Sequence, residues 1–191
     1  MGKKRKKKKG KQPNKLSASK YIVQKGPQLE FHESYVNGNW RDTGMASVLM
    51  SKTMPSGNYI SGLYLLDTFC LGLKKTLFKF NQTTEEYKQF LDQFIASHGA
   101  VQKCDLHFAH DMIYGCVDYA DEMGFDPHPD FEITEHLLDP DYITDEIDTI
   151  EFGKDGMPYY VAGPDDNYEA ILNKLEQNLG KDNFRYTIPH E

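Results

Sequence analysis

His107, Asp111 and Asp118 have the residue types and the spacing for metal or acid–base chemistry, with His110 beside them. In residues 106–123, Leu106, Ala109, Ile113, Cys116, Val117, Ala120 and Met123 recur every three or four positions, which predicts an amphipathic helix. At 100° per residue His107, Asp111, Tyr114 and Asp118 share one polar stripe, and His110 falls between that stripe and the apolar face. His107 and Asp111, one turn apart, can share a divalent metal or act as a base and its orienting carboxylate, with Asp118 a further turn on. His128 joins them as a catalytic candidate, held on a loop whose Pro127 and Pro129 keep the preceding residues extended. A metal-assisted hydrolase built on His107, His110 and Asp111, its metal activating a water, is one reading of the chain. No H-E-x-x-H and no H-x-E with a later C-x-x-C accompanies the set. The simpler reading is a solvated helical face with His110 at the core margin, and the expectation is therefore a non-catalytic protein without a cofactor, a divalent metal being the alternative.

The stripe lies in an acidic block. Residues 104–153 hold fifteen Asp or Glu, no Lys or Arg, and four of the seven histidines. Asp139, Asp141, Asp145, Glu146 and Asp148 have the composition of a calcium loop, but no Gly occurs between Gly124 and Gly153, so the D-x-D-x-D-G run is absent.

The opposite charge sits at the other end. Lys3, Lys4, Arg5, Lys6, Lys7, Lys8, Lys9, Lys11 and Lys15 place nine bases and no acid in residues 1–15. Of the 22 Lys and Arg that leaves 13 against 29 Asp and Glu, a body near -16. A run of this kind cannot bury apolar surface and is expected to be disordered. Dense lysine without aromatics attracts phosphate backbones through counterion release, so these nine residues are the candidate nucleic-acid contacts. A nuclear targeting signal and a solubilising tail are the other readings.

Cys70, Cys104 and Cys116 are odd in number and form no C-x-x-C pair, which suits a reducing compartment. The lysine run is followed by Gln, Pro and Asn rather than an apolar stretch, so a secretory signal is not expected. No apolar run approaches the roughly 20 residues that span a bilayer. The expected location is the cytoplasm, or the nucleus in a eukaryote.

The elements around these residues read as one α+β domain over 21–191, with 21–103 and 104–191 as candidate sub-units and a disordered basic tail over 1–20. Two β-hairpins, about four packed helices and small, mostly antiparallel sheets are expected. Tyr21, Ile22 and Val23, then Leu29 and Phe31 beyond Gly26-Pro27, suit a short strand or a segment lying across the body, and Trp40 a core or rim anchor. Residues 45–52 and 58–65 form a hairpin around Pro55 and Gly57. Leu66, Phe69, Cys70, Leu73, Leu77 and Phe80 then predict a helix, Asp67 in its first turn and Cys70 on its buried stripe. A second helix, capped at Thr83 or Thr84, runs to Gly99. A short one over 131–138 has Asp130 as its cap. Residues 149–152 and 157–161 predict a hairpin about Asp155-Gly156, followed by a helix from Tyr168 to Leu179 and a last strand over 184–188.

Three functions compete. The leading one is a non-catalytic factor on a nucleic-acid-rich assembly such as the ribosome, the basic arm on phosphates and the acidic body toward a basic protein. The hydrolase is the second. The third is an acidic protein-interaction or regulatory module autoinhibited by its own tail. No membrane partner is expected.

Overall fold

Pro55 and Gly57 close the first hairpin. In the structure, a computed structural model describing residues 16–139 and 150–188, the amide of Met54 donates to Asn58 O at 2.7 Å and Gly57 takes φ +84°. This joins β2 (Met45–Thr53) to β3 (Tyr59–Asp67) in register from Met45 opposite Asp67 to Thr53 opposite Tyr59.

The helix expected over 66–80 is instead a tight turn and a strand, β4 (Gly72–Gln82). Asp67 Oδ1 accepts the amides of Phe69 and Cys70 at 3.0 Å each, and Gly72 turns the chain at φ +66°. Lys74 is then the extra residue of a bulge, because Leu66 pairs with Leu73 and Leu65 with Lys75. The inward set of the strand becomes Leu73, Thr76, Phe78 and Phe80, and that skipped position is what imitated a helical period.

β1 (Glu30–Asn37) pairs with the other edge of β2, and β5 (Val101–Cys104) with β1, giving an antiparallel sheet of order β4-β3-β2-β1-β5. Tyr21, Ile22 and Val23, expected in a short strand or lying across the body, belong to α1 (Ala18–Lys25), a helix that buries Ile22 against Met54, Ile60 and Leu137. The one-turn helix α2 (Trp40–Thr43) links β1 to β2 and buries Trp40.

Both sheet faces are covered. Thr83 and Glu86 form a capping box on α3 (Thr84–His98), whose Tyr87 hydroxyl donates to Glu33 Oε1 at 2.9 Å on one face. On the other lies α4 (Leu106–Glu122), with Ala109, Met112, Ile113 and Cys116 packed on Val48, Met50, Tyr64 and Leu66. Asp105 caps α4 as expected, accepting the Phe108 amide at 2.8 Å.

Residues 131–138 divide into α5 (Phe131–Thr134) and a 3-10 turn over Glu135–Leu137. Asp130 makes no side-chain cap; its carbonyl accepts from Thr134 N at 3.1 Å. The second hairpin shrinks to one bridge, Lys154 opposite Met157. Beyond it β6 (Tyr159–Val161) pairs in parallel with β7 (Arg185–Thr187), a pairing that needs a crossover, here α6 (Tyr168–Leu179). This unit docks on the β3–β4 turn, Tyr159 N donating to Phe69 O and Gly153 N to Thr68 O, both at 2.9 Å. The architecture is α+β. Among the described residues no helix is long and apolar enough to cross a membrane.

Candidate ligand cleft

α4 separates the residues that its sequence grouped. His107 and Asp118 are exposed, Asp111 is buried at the margin, and His110 is fully buried in the core. His128 sits on its loop with Nδ1 accepting the Asp130 amide at 3.2 Å, and His136 lies 3.8 Å from Glu135. Among the described residues no three His, Cys, Asp or Glu side chains come together as a metal set. The nine bases from Lys3 to Lys15, and Asp141, Asp145, Glu146 and Asp148, lie outside the described residues.

His110 has instead a structural role that is sensitive to acid. Its Nε2 accepts the Asp139 amide at 3.0 Å, which requires that nitrogen to be unprotonated. Nearby, the buried Lys52 ammonium donates to Gly26 O at 3.0 Å and Pro27 O at 3.4 Å. Burial pushes the imidazole down to about 4; the Asp139 carboxylate opposes this, and Lys52 and His107 add to it. The unfolded chain thus binds the proton more readily than the folded one. Stability is complete above pH 6.5 and falls as pH drops from there toward 4, by on the order of 3 kcal/mol. Urea unfolding of wild type and His110→Gln across that interval checks this. The variant is expected to lose less stability in acid, and an unchanged pH profile contradicts the assignment.

A second polar cluster ties α3 and β5 to β1. Glu33 accepts from the Tyr35 and Tyr87 hydroxyls at 2.9 Å and from Lys103 Nζ at 2.8 Å. Burial alone would raise its pKa, but these three hydrogen bonds and the lysine charge outweigh burial and hold the carboxyl below its ordinary range. Every oxygen is engaged, so the cluster works as a clasp.

Open space and chemistry coincide where the β3–β4 turn meets α2 and residues 151–164. Phe69 stands between two concavities. One, of about 600 Å³, has Trp40 and Gly153 in its wall and Arg41, Asp42, Glu151 and Lys154 around it. The other, of about 300 Å³, is lined by Asp67, Lys74, Tyr159, Val161 and Pro164. The Phe69 and Tyr159 rings lie 6.2 Å apart at 47°, and Lys154 Nζ is 4.9 Å from the Tyr159 centroid and 5.7 Å from that of Phe69. Arg41 lies over the Trp40 ring at 4.2 Å. Trp40 Nε1 is buried without a hydrogen-bond partner among the described residues.

Charge in the smaller pocket is fixed by local geometry. Asp67, 6% exposed, has its carboxyl pKa raised because burial outweighs the amides of Leu71, Phe69 and Cys70 and the charge of Lys74. Lys74 Nζ lies 3.4 Å from Asp166, which also accepts from Gly163 N at 2.9 Å and the Tyr160 hydroxyl at 3.1 Å. Gly44 seats the shared ring: at φ +75° it leaves room that a Cβ, 2.3 Å from the Phe69 ring, would fill. None of this is legible in the local sequence, whose apolar spacing puts Asp67, Phe69 and Cys70 on a helix. The signal present was an Asp followed by two residues that its side chain can turn, between two strand-like runs.

No protein-family model, curated protein or solved structure matches the chain.

Proposed function

We propose that the protein is a non-catalytic factor that attaches to nucleic acid, as on a ribosome or another phosphate-rich assembly, through the bases from Lys3 to Lys15, and turns its acidic body toward a basic protein. The observation that carries this reading is the partition of charge: nine bases without an acid in residues 1–15, against a remainder near -16. A body of that sign is repelled by phosphate, so attachment through the arm orients it outward. Asp118, Asp121, Glu122, Asp126, Asp130 and Glu132 are all exposed along the outer end of α4, the following loop and α5, which supports a docking role for that side. The sheet's faces are already occupied by α3 and α4, which supports surface charge rather than an open sheet as the means of contact.

One observation favours a regulatory variant of the same reading. α1, which follows the arm directly, packs against α5 and the 3-10 turn that carry Glu132 and Glu135. The arm is thus joined through α1 to the elements that carry these acids, which are candidates for it to engage when phosphate is absent, and a short connection gives an effective concentration around millimolar.

The test is co-sedimentation with ribosomes and filter binding to unstructured RNA, using the full chain and a chain in which the bases from Lys3 to Lys9 are Gln. Neutralisation is expected to remove binding to both while leaving the thermal unfolding transition in place. Undiminished binding by the neutralised chain refutes the reading. Under the regulatory variant, neutralisation also increases capture of a basic protein; without that increase the variant falls and the arm reading stands.

A further inference from the structure

We propose that the cleft at Phe69 and Tyr159 binds an alkylammonium group, and that Lys154 of the protein itself now stands where the ligand's cation would. The two rings form an angled wall, and an ammonium already rests against it, 4.9 Å from one centroid and 5.7 Å from the other. Among the described residues Lys154 makes no salt bridge, so the ring faces alone account for where its charge lies.

The other cations at the junction are committed. Arg41 covers Trp40, Lys74 is paired with Asp166, and Arg185 with Asp155 at 3.3 Å. Asp42 and Glu151, both exposed at the rim of the larger cleft, make no salt bridge among the described residues. Behind Phe69 the buried carboxyl of Asp67 adds a further acidic group. Two carboxylates without a salt bridge among the described residues, the face of Phe69 and a space of about 600 Å³, with Tyr159 adjoining from the smaller pocket, suit a cation on an alkyl chain and repel a phosphate.

Lys154 is a displaceable occupant. It is exposed, and it sits in a turn where Gly153, Asp155 and Gly156 take φ of +79°, +53° and +73°. Its side chain can leave the wall without moving β6. The same chemistry comes from two sources, a lysine side chain presented by a protein and a free polyamine. The site does not depend on the arm reading, since none of its residues lies in 1–15.

Trp40, the only tryptophan, lines the cleft, so selective tryptophan emission reports occupancy directly. The full chain is titrated with N-acetyl-lysine methylamide, with spermidine, and with the uncharged N-acetyl-norleucine methylamide. Saturable change with the lysine amide, with spermidine or with both, and none with the norleucine compound, is the expected result. The lysine amide acting alone assigns the site to a protein side chain, and spermidine acting alone to a free polyamine. Lys154→Met removes the competing charge and keeps the chain length, and is expected to tighten binding about two- to fivefold. Asp42→Asn with Glu151→Gln is expected to weaken it by a similar factor. Both variants alter exposed side chains and leave the core intact. No response to either amine, equal response to the norleucine compound, or affinity unchanged in both variants overturns the proposal, whatever the arm does on RNA.

Discussion

Gly72→Val is expected to destabilise the protein by about 3 kcal/mol or more, a large share of the roughly 5–15 kcal/mol that holds a domain together. Two costs add at this position. Gly72 takes φ +66°, where an L-residue loses on the order of 1–2 kcal/mol, and a β-branched one more. A Cβ there would also lie 2.5 Å from the Ala120 Cβ and 2.6 Å from the Cys116 carbonyl oxygen, both on α4. Helix and sheet must then separate, and overpacking of this kind adds about 1–3 kcal/mol. Gly57 supplies the control. It has φ +84° in the β2–β3 turn with nothing within 4 Å of its Cβ position, so Gly57→Val incurs the backbone cost alone. Urea denaturation of both variants checks the difference. Equal losses would mean that the approach of α4 to β4 is not tightly packed at that point.

The same region shows where the sequence was legible. Helices α3, α4 and α6 follow from their apolar spacing and their caps, since Thr83, Asp105 and Asn167 each accept an amide of the first turn. The β2–β3 hairpin follows from Pro55 and Gly57. β4 is hidden because the bulge at Lys74 shifts its inward set by one residue, and Leu73 and Phe80 of that set, with Leu77 from the opposite face, coincide with a helical stripe. β5 carries Gln102 and Lys103 and has no apolar alternation; it is a strand because β1 offers an edge to it. Tyr21, Ile22 and Val23 favour a strand locally, yet Ser17 accepts the Lys20 amide and Ile22 finds a pocket between Met54, Ile60 and Leu137. In each case a partner distant in sequence decides the outcome.

The candidate sites divide the same way. The stripe of His107, Asp111 and Asp118 is visible because helical geometry is local, and that geometry puts His110 only at the core margin. What the period does not contain is depth: His110 lies fully inside, its ring accepting an amide from residue 139. The cleft draws on positions 40–42, 67–74 and 151–164, which only the docking of the C-terminal β6–α6–β7 unit on the β3–β4 turn brings together. Its chemistry therefore had no contiguous motif to read.

The second large effect is the dependence of nucleic-acid binding on salt. Each phosphate neutralised by a lysine or arginine releases condensed counterions. Engagement of all nine bases from Lys3 to Lys15 therefore gives a log–log slope of affinity against salt of about -6 on single strands and about -8 on duplex. Between about 50 and 200 mM salt this amounts to roughly a 10³- to 10⁵-fold loss, larger than any single side-chain contact supplies. The body's charge near -16 works against this trend, because its repulsion from phosphate is least screened at low salt, where the arm must outweigh it, and is relieved as salt rises.

Fluorescence anisotropy of an unstructured RNA oligomer, titrated across that salt range with the full chain and with residues 16–191, tests the account most directly. The full chain is expected to give the slope of about -6, and the shortened chain no binding at the lowest salt. A full-chain slope near zero, or a shortened chain that binds RNA as tightly as the whole, would contradict it.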